Sequence, residues 1–440
     1  MKKALIFISI VFIPLFHIHS QERTDQLYAM YSENSIIREL SQTKWVVYSE
    51  LDSPSFSVVE DGNPLVDFIF LPKEFKSVSD FTILDNHVYF CGMLHSGVPV
   101  MGKFFLYAFP STTIHYSEIT GVDTLTAIKV WDTYLFPPKS TTIHVLMLGK
   151  KNNTGIFVDA MSVISGGWNT CYITLRTKDG HTVFHDDIDL LDKYAVLASH
   201  NSEQQSPETP SPSTYGTGYV WYIKKPTPPY VHFLTFQEYF SIPYVEPTKQ
   251  LRLTACEGNA CVAAALAYKE IDNSLSPGIH VYGFNYPNNI ETIRLVEEID
   301  HETLRDLSYD KSKKKTELLV QYNNATSSDS RIYTLTQATL PWTSVIGRSY
   351  LGHKINSLIT QSYNSEHFIG SGVDISDHTG LNIYRYKNTN HECSEMIYRN
   401  ARDIDRRPKN DGQKTYEVIF HPDITALPIE KKTAIITICE

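Results

Sequence analysis

The sequence predicts an all-β chain built from a repeated unit of four short strands. Three observations carry that reading. Twelve per cent of the 440 residues are aromatic, with 27 Tyr, and Val, Ile and Thr are abundant, a composition suited to pleated, half-buried strands. The apolar runs are short and punctuated by Gly, Asn, Asp and Pro, which argues against helices. The runs also recur. In ILDNHVYFCG the pattern His87-Val88, then Gly92, follows a turn at Asp85-Asn86, and it returns in IHVLMLG (His144, Gly149) and EHFIGSG (His367, Gly372).

Taken in chain order, the first element is MKKALIFISIVFIPLFHIHS. Lys2 and Lys3, an apolar stretch from Ala4 to Phe16 and the small Ser20 have the anatomy of a secretory signal peptide at residues 1–20. The stretch is shorter than the roughly 20 apolar residues of a membrane span. The expected product, residues 21–440, is a single exported domain: periplasmic, cell-surface-associated or secreted. Losing residues 1–20 leaves 37 basic against 49 acidic residues, a net charge of −12. Such an acidic chain disfavours nucleic acid and anionic membranes as partners, and no membrane span is expected in the mature chain. Residues 25–40 read as a short helix or plug. KWVVYSE, SFSVVED and LVDFIFLP follow as strands.

Six units come next. Their second strands begin at 87, 144, 194, 260, 317 and 367, at intervals of 57, 50, 66, 57 and 50. Each has a strand before it and two after it, for example TAIKVWD, IHVLMLG, GIFVDAM and NTCYITL in the second unit. In the third, the fourth strand is read at YVHFLTF, 230–236. The 66-residue interval holds a polar Ser/Pro/Glu-rich insertion, 201–217, which cannot bury enough apolar surface to order itself and reads as a flexible loop. TYEVIF and TAIITICE close the chain.

Four short strands repeated about every 50 residues resemble a β-propeller, in which radial stacking buries both faces of each twisted sheet. The likeness covers nearly the whole mature chain. It lacks the regular Trp-Asp endings of WD40 repeats and the paired glycines of kelch repeats. It is most similar to the divergent propeller-like repeats of exported bacterial proteins of uncharacterised function, and that resemblance carries no catalytic residues. Six or seven four-stranded blades are expected, with seven preferred. The ring would be closed by strands from the two termini, residues 55–72 supplying two and the C-terminal tail two.

The candidate sites are few. Tyr219, Trp221 and Tyr222 stand beside the long loop, where aromatics can stack on a sugar or a peptide; the competing reading is a packed blade core. Cys256 and Cys261 flank EGNA in a hairpin and are either bridged or two buried thiols. The recurring His residues suggest turn-closing hydrogen bonds rather than a metal ring. HDDIDLLD (185–192) lacks the sharp Gly turn of a calcium loop and reads as a strand edge. GSG at 370–372 fails the nucleophile-elbow spacing, and no nucleotide-binding or zinc motif occurs, so no cofactor is expected. The function expected is non-catalytic binding or scaffolding, with a protein, peptide or glycan ligand. The alternative is a carbohydrate-active hydrolase or lyase with its site at the channel mouth.

Overall fold

A strand that is apolar on both faces needs a packing partner on each side. IHVLMLG is such a strand, and most of the second strands share its character. The computed structural model describes residues 35–396 apart from several connections, together with 414–420 and 432–438. The signal-like segment 1–20, the loop residues 202–215 and the 402–412 stretch lie outside the described residues.

The strands between Ser35 and Met396 fall into seven consecutive runs of four. The first is β1 (Ser35–Ser41), β2 (Lys44–Ser49), β3 (Ser55–Glu60) and β4 (Asp67–Phe70). The second is β5 (Phe75–Leu84), β6 (His87–Leu94), β7 (Pro99–Phe105) and β8 (His115–Glu118), with a 3-10 turn at Leu106–Ala108. The third is β9 (Thr124–Tyr134), β10 (Thr141–Lys151), β11 (Thr154–Ser162) and β12 (Trp168–Ile173). The fourth is β13 (Val183–Leu190), β14 (Tyr194–Asn201), β15 (Gly216–Lys224) and β16 (Gln237–Val245). The fifth is β17 (Arg252–Ala255), β18 (Ala260–Ile271), β19 (Ser274–Asn285) and β20 (Asn289–Val296). The sixth is β21 (Glu302–Asp310), β22 (Lys315–Asn323), β23 (Ser328–Thr336) and β24 (Ser344–Tyr350). The seventh is β25 (His353–Thr360), β26 (His367–Asp374), β27 (Asn382–Lys387) and β28 (Asn390–Met396). A C-terminal hairpin, β29 (Lys414–Phe420) and β30 (Lys432–Ile438), adds to β28. Every run is an antiparallel meander, and the fourth and fifth touch through one ladder pair, Val245 opposite Ala267. The arrangement is all-β and propeller-like.

Alternation along each strand sends successive side chains to opposite neighbours. Val145 and Met147 pack with Tyr89, Cys91 and Met101 of the second run. Leu146 and Leu148 pack with Ile188, Leu197 and Trp221 of the fourth. Equivalent cores fill the boundaries between the first and second, fourth and fifth, and fifth and sixth runs.

Local chemistry fixes the turns. Asp85-Asn86 and Asn152-Asn153 all have positive φ, 47° and 59°, then 48° and 60°, so both hairpins turn through two residues that tolerate the left-handed region. The recurring Gly has a physical cause. A Cβ on Gly92 would sit 2.2 Å from the Ser77 carbonyl oxygen, and one on Gly149 would sit 2.5 Å from that of Thr124. At each place the first strand crowds the second beside a register shift.

Those irregularities carry polar clamps between runs. The β5 bulge between Val78 and Asp80 turns the Asp80 carboxylate sideways. It accepts from the Ile128 amide of β9 (3.1 Å) and from the Arg38 guanidinium of β1 (2.7 Å). The β13 bulge between His185 and Asp187 does the same for the fourth run. Asp187 accepts from the Leu253 amide (2.9 Å) and Asp189 from the Ala255 amide (2.7 Å), both of β17, and Lys129 of β9 pairs with Asp189 at 3.2 Å. Burial pulls the Lys129 pKa down, but the Asp189 carboxylate, with Asp80 and Asp187 behind it, leaves it raised.

Several expectations are corrected. Of the stretch 25–40, residues 35–40 belong to β1 and not to a helix or plug, Ile36 and Arg38 pairing with Tyr48 and Val46, while 25–34 lie outside the described residues. In the third unit the strand that follows and pairs with β15 lies at Gln237–Val245, and the expected position, 230–236, lies outside the described residues. Among the described residues the termini share no ladder. Residues 55–60 and 67–70 pair inside the N-terminal run, and the C-terminal hairpin extends the seventh.

Two predictions follow from these features. Asp80→Ala strips the acceptor from the part-buried Ile128 and Phe81 amides and from Arg38, so urea unfolding should show a loss of about 2–4 kcal/mol. His185 is 4% exposed, and neither ring nitrogen has a hydrogen-bond partner among the described residues. Burial, with His200 nearby, lowers its pKa to about 3. Below about pH 6.5 the unfolded chain then binds a proton that the folded chain refuses. Stability should fall with pH by roughly 1.4 kcal/mol per unit between pH 6.5 and 3, and His185→Phe should flatten that slope.

Candidate functional site

The three aromatics beside the long loop do not form an open platform. Tyr219, Trp221 and Tyr222 lie on β15 and are 7%, 1% and 0% exposed. Trp221 Nε1 donates to Ser199 Oγ at 2.6 Å, and its ring packs on Tyr239. Tyr222 faces the opposite core, stacked on Tyr286 at 5.0 Å. Their ring faces are covered by neighbouring side chains, because a strand between two sheets buries both of its faces.

Cys256 and Cys261 are free thiols. The register sets Cys261 opposite Ala255, so the two cysteines do not face each other across the ladder. Cys261 packs in the core between the fourth and fifth runs, and Cys256 against that between the fifth and sixth. Burial pushes the Cys261 thiol up to about 12, opposed by its contact with the Tyr222 hydroxyl at 3.1 Å. Burial also holds Cys256 well above its usual range.

The recurring histidines part company. His87 Nδ1 donates to the Asp85 carbonyl at 3.0 Å, closing its turn. His144 is buried and pairs through Nδ1 with Asp159 at 3.0 Å. Among the described residues no cluster of three or more His, Cys, Asp or Glu is placed to hold a metal ion. In HDDIDLLD, Asp186 accepts from His200 Nδ1 at 2.7 Å, while Asp187 and Asp189 serve the clamps.

An open site lies at the outer boundary between the second and third runs. A cavity of about 380 Å³ is lined by Met101, Gly102 and Lys103 of β7, His115, Tyr116 and Ser117 of β8, and Gly167 and Trp168 at the start of β12. Gly102 makes room on the other face of the sheet, where a Cβ would meet the Phe90 ring of the core shared with the first run at 2.1 Å. The Lys103 ammonium sits 5.5 Å from the centre of the Trp168 ring, a cation–π contact. His115 stands directly opposite Lys103 across the ladder. Tyr116 donates to Glu74 at 3.0 Å, and that bond, with burial and the nearby Glu74 and Glu118 charges, raises its pKa. A flat indole, an ammonium, an imidazole and the Ser117 hydroxyl on one cleft can stack on a ring and hydrogen-bond its substituents.

Sequence reasoning passed over Trp168, Lys103 and His115. The signal was local context. Trp168 stands in GGWNT, among turn residues, whereas Tyr219 to Tyr222 stand inside an apolar run. At the start of β12, opposite Ser162, Trp168 is covered on one side only.

No family model matches the chain, and no curated protein matches it. Among solved structures it is similar to a polysaccharide lyase, at 8% identity over 82% of this chain and 90% of that one, TM-score 0.48. It is similar to an oligogalacturonate lyase from Vibrio parahaemolyticus, at 11% identity over 87% and 97%, TM-score 0.44. It is also similar to prolyl oligopeptidase B from Galerina marginata, at 8% identity, TM-score 0.45. There it covers 95% of this chain but only 57% of the other, so the chain spans little more than half of that enzyme's length. At these values the propeller-like description rests on strand order, not on likeness.

The buried thiols give a direct check. In the native protein at pH 8, peptide mapping after iodoacetamide should find Cys91 and Cys261 unmodified and Cys256 and Cys261 unbridged, and the two buried thiols should label once denaturant exposes them.

Proposed function

We propose that the chain is an exported seven-bladed β-propeller that acts as a non-catalytic binding or scaffold protein. The seven runs of four strands support the blade count. Closure is supported by β1 lying against β25 and β26, so that the first and last sheets meet by packing rather than by a shared ladder. The signal-like residues 1–20 support export to the periplasm, the cell surface or the medium. Among the described residues no helix is long and apolar enough to cross a membrane.

The observation that carries the binding reading is the Trp168–Lys103–His115 cleft. It combines a half-buried aromatic face with convergent polar groups, and none of its polar groups is recruited into the clamps. Protein, peptide and glycan ligands all suit such chemistry. A carbohydrate-active hydrolase or lyase acting at the channel mouth is the second reading, favoured by the gathering of Asp80, Lys129, Asp187 and Asp189 on the first strands. Those three carboxylates accept from backbone amides, which ties them to a structural task.

Glycan and peptide arrays probed with the purified protein test the proposal. A hit should lose about tenfold in affinity, or about 1.4 kcal/mol, in Trp168→Ala, and less in Lys103→Gln. Full affinity in both variants places the site elsewhere. Cleavage of the bound chain by the wild type replaces binding with the enzyme reading.

A further inference from the structure

Scattered exposed hydrophobics are ordinary on a protein surface, but clustered ones mark contact sites. Among the described residues the exposed large hydrophobics are Phe105 (37%), Tyr107 (76%), Tyr116 (39%) and Tyr172 (41%). All four belong to the second and third runs, at or beside the Trp168 cleft. All four are aromatic, with no exposed Leu, Ile, Val or Met among them.

Register places three of them in line with the cleft. Lys103 and Phe105 are two residues apart on β7 and share a face. His87 lies opposite Phe105, ring to ring at 4.7 Å, and Tyr107 follows at 5.1 Å from Phe105. In the other direction, Trp168 and Tyr172 are four residues apart on one face of β12, and Tyr172 reaches the connection after β8, where its hydroxyl donates to the Thr120 carbonyl. The rings therefore run Tyr107, Phe105, Trp168, Tyr172, with Lys103, His87 and His115 between them. At the strand rise this track is on the order of 25 Å long, room for roughly five sugar rings.

Resting on the binding reading above, we infer that the ligand is an extended polysaccharide, neutral or sparsely charged, laid along this boundary. The chemistry matches point by point. Each ring offers a face to the C–H side of a pyranose, and the ammonium and imidazoles between them meet hydroxyls. An apolar peptide would need aliphatic surface, which this face lacks. The rings are also held in place: Asn86 Nδ2 donates to the Tyr107 hydroxyl at 3.2 Å, and Tyr172 is tied to Thr120, so little freedom is lost on stacking. A polyanion is disfavoured by the net charge of −10, while Lys103 is the one full cation lining the cavity.

The test is affinity electrophoresis of the full protein through gels carrying soluble xylan, mixed-linkage β-glucan, galactomannan or polygalacturonate, followed by calorimetry with oligosaccharides of any polymer that retards it. At least one neutral polymer should retard the protein. Its hexasaccharide should bind about tenfold tighter than its disaccharide, and Tyr107→Ala, at a site too exposed to unfold the protein, should cost about fivefold. Equal affinity for both lengths, with Tyr107→Ala silent and Trp168→Ala damaging, overturns the track but leaves the cleft as the site. Retardation by polygalacturonate alone, lost at high salt, overturns the neutral assignment. A Trp168-dependent peptide hit with no retardation in any gel overturns the saccharide and keeps the binding reading. Retardation that survives both Trp168→Ala and Tyr107→Ala overturns both.

Discussion

The structure depends on a carboxylate that leaves its own strand to satisfy a backbone amide in the next sheet. Hydrophobic faces alone would let neighbouring sheets slide, because apolar burial has no direction. Asp80 on Ile128, and Asp187 and Asp189 on Leu253 and Ala255, supply direction. Asp80 and Asp187 each stand at a β-bulge, which aims a side chain where a regular ladder would not, and Asp189 follows on the same face. A cation from the preceding sheet completes two of them: Arg38 on Asp80 and Lys129 on Asp189. Arg38 and Arg252 repeat a second contact, each Nε donating at 3.1 Å to a carbonyl of the next sheet, Phe81 and Leu304. The bulge between Leu304 and Asp306 puts another Asp at the equivalent backbone position in the sixth run. Basic first strands thus alternate with acidic ones along the chain.

Fixing the first strands frees the last ones. β8 has four residues and β12 six, and they lie at the far side of their sheets from the clamps. The outer boundary between the second and third runs is only partly filled. There Met101, Lys103, His115 and Trp168 line a cavity, and aromatic rings reach water. The clamps on the first strands and the open cavity beside the last ones thus occupy opposite ends of the same sheet.

The strand runs were legible to a large degree, since the second strand of each of the six units begins at or within three residues of its expected start. That followed from apolar runs bounded by turn residues, a local signal. β1 was missed because Arg38, a clamp residue, breaks its apolar alternation with a charge whose partner, Asp80, lies 42 residues away. The clamp aspartates were misread for the same reason. HDDIDLLD looked like a solvated edge, yet Asp187 and Asp189 accept from a strand 66 residues on. Tyr219, Trp221 and Tyr222 drew attention as a dense aromatic cluster, although density inside an apolar run is what a two-sided core requires. The cleft residues gave only the weak cue of a Trp among glycines.

By itself the sequence determined the all-β class, the four-strand period, the two-residue turns and the acidic surface. All of these are written in neighbouring residues, through strand alternation, turn-compatible side chains and counted charges. The tertiary structure decided which carboxylates lock adjacent sheets, that Cys256 and Cys261 face different cores, and which aromatics stay in water. Those outcomes depend on which residues meet across sheets tens of positions apart, and on bulges that shift a side chain from one face to another. Local sequence does not encode such juxtapositions, and here they separate packed aromatics from exposed ones.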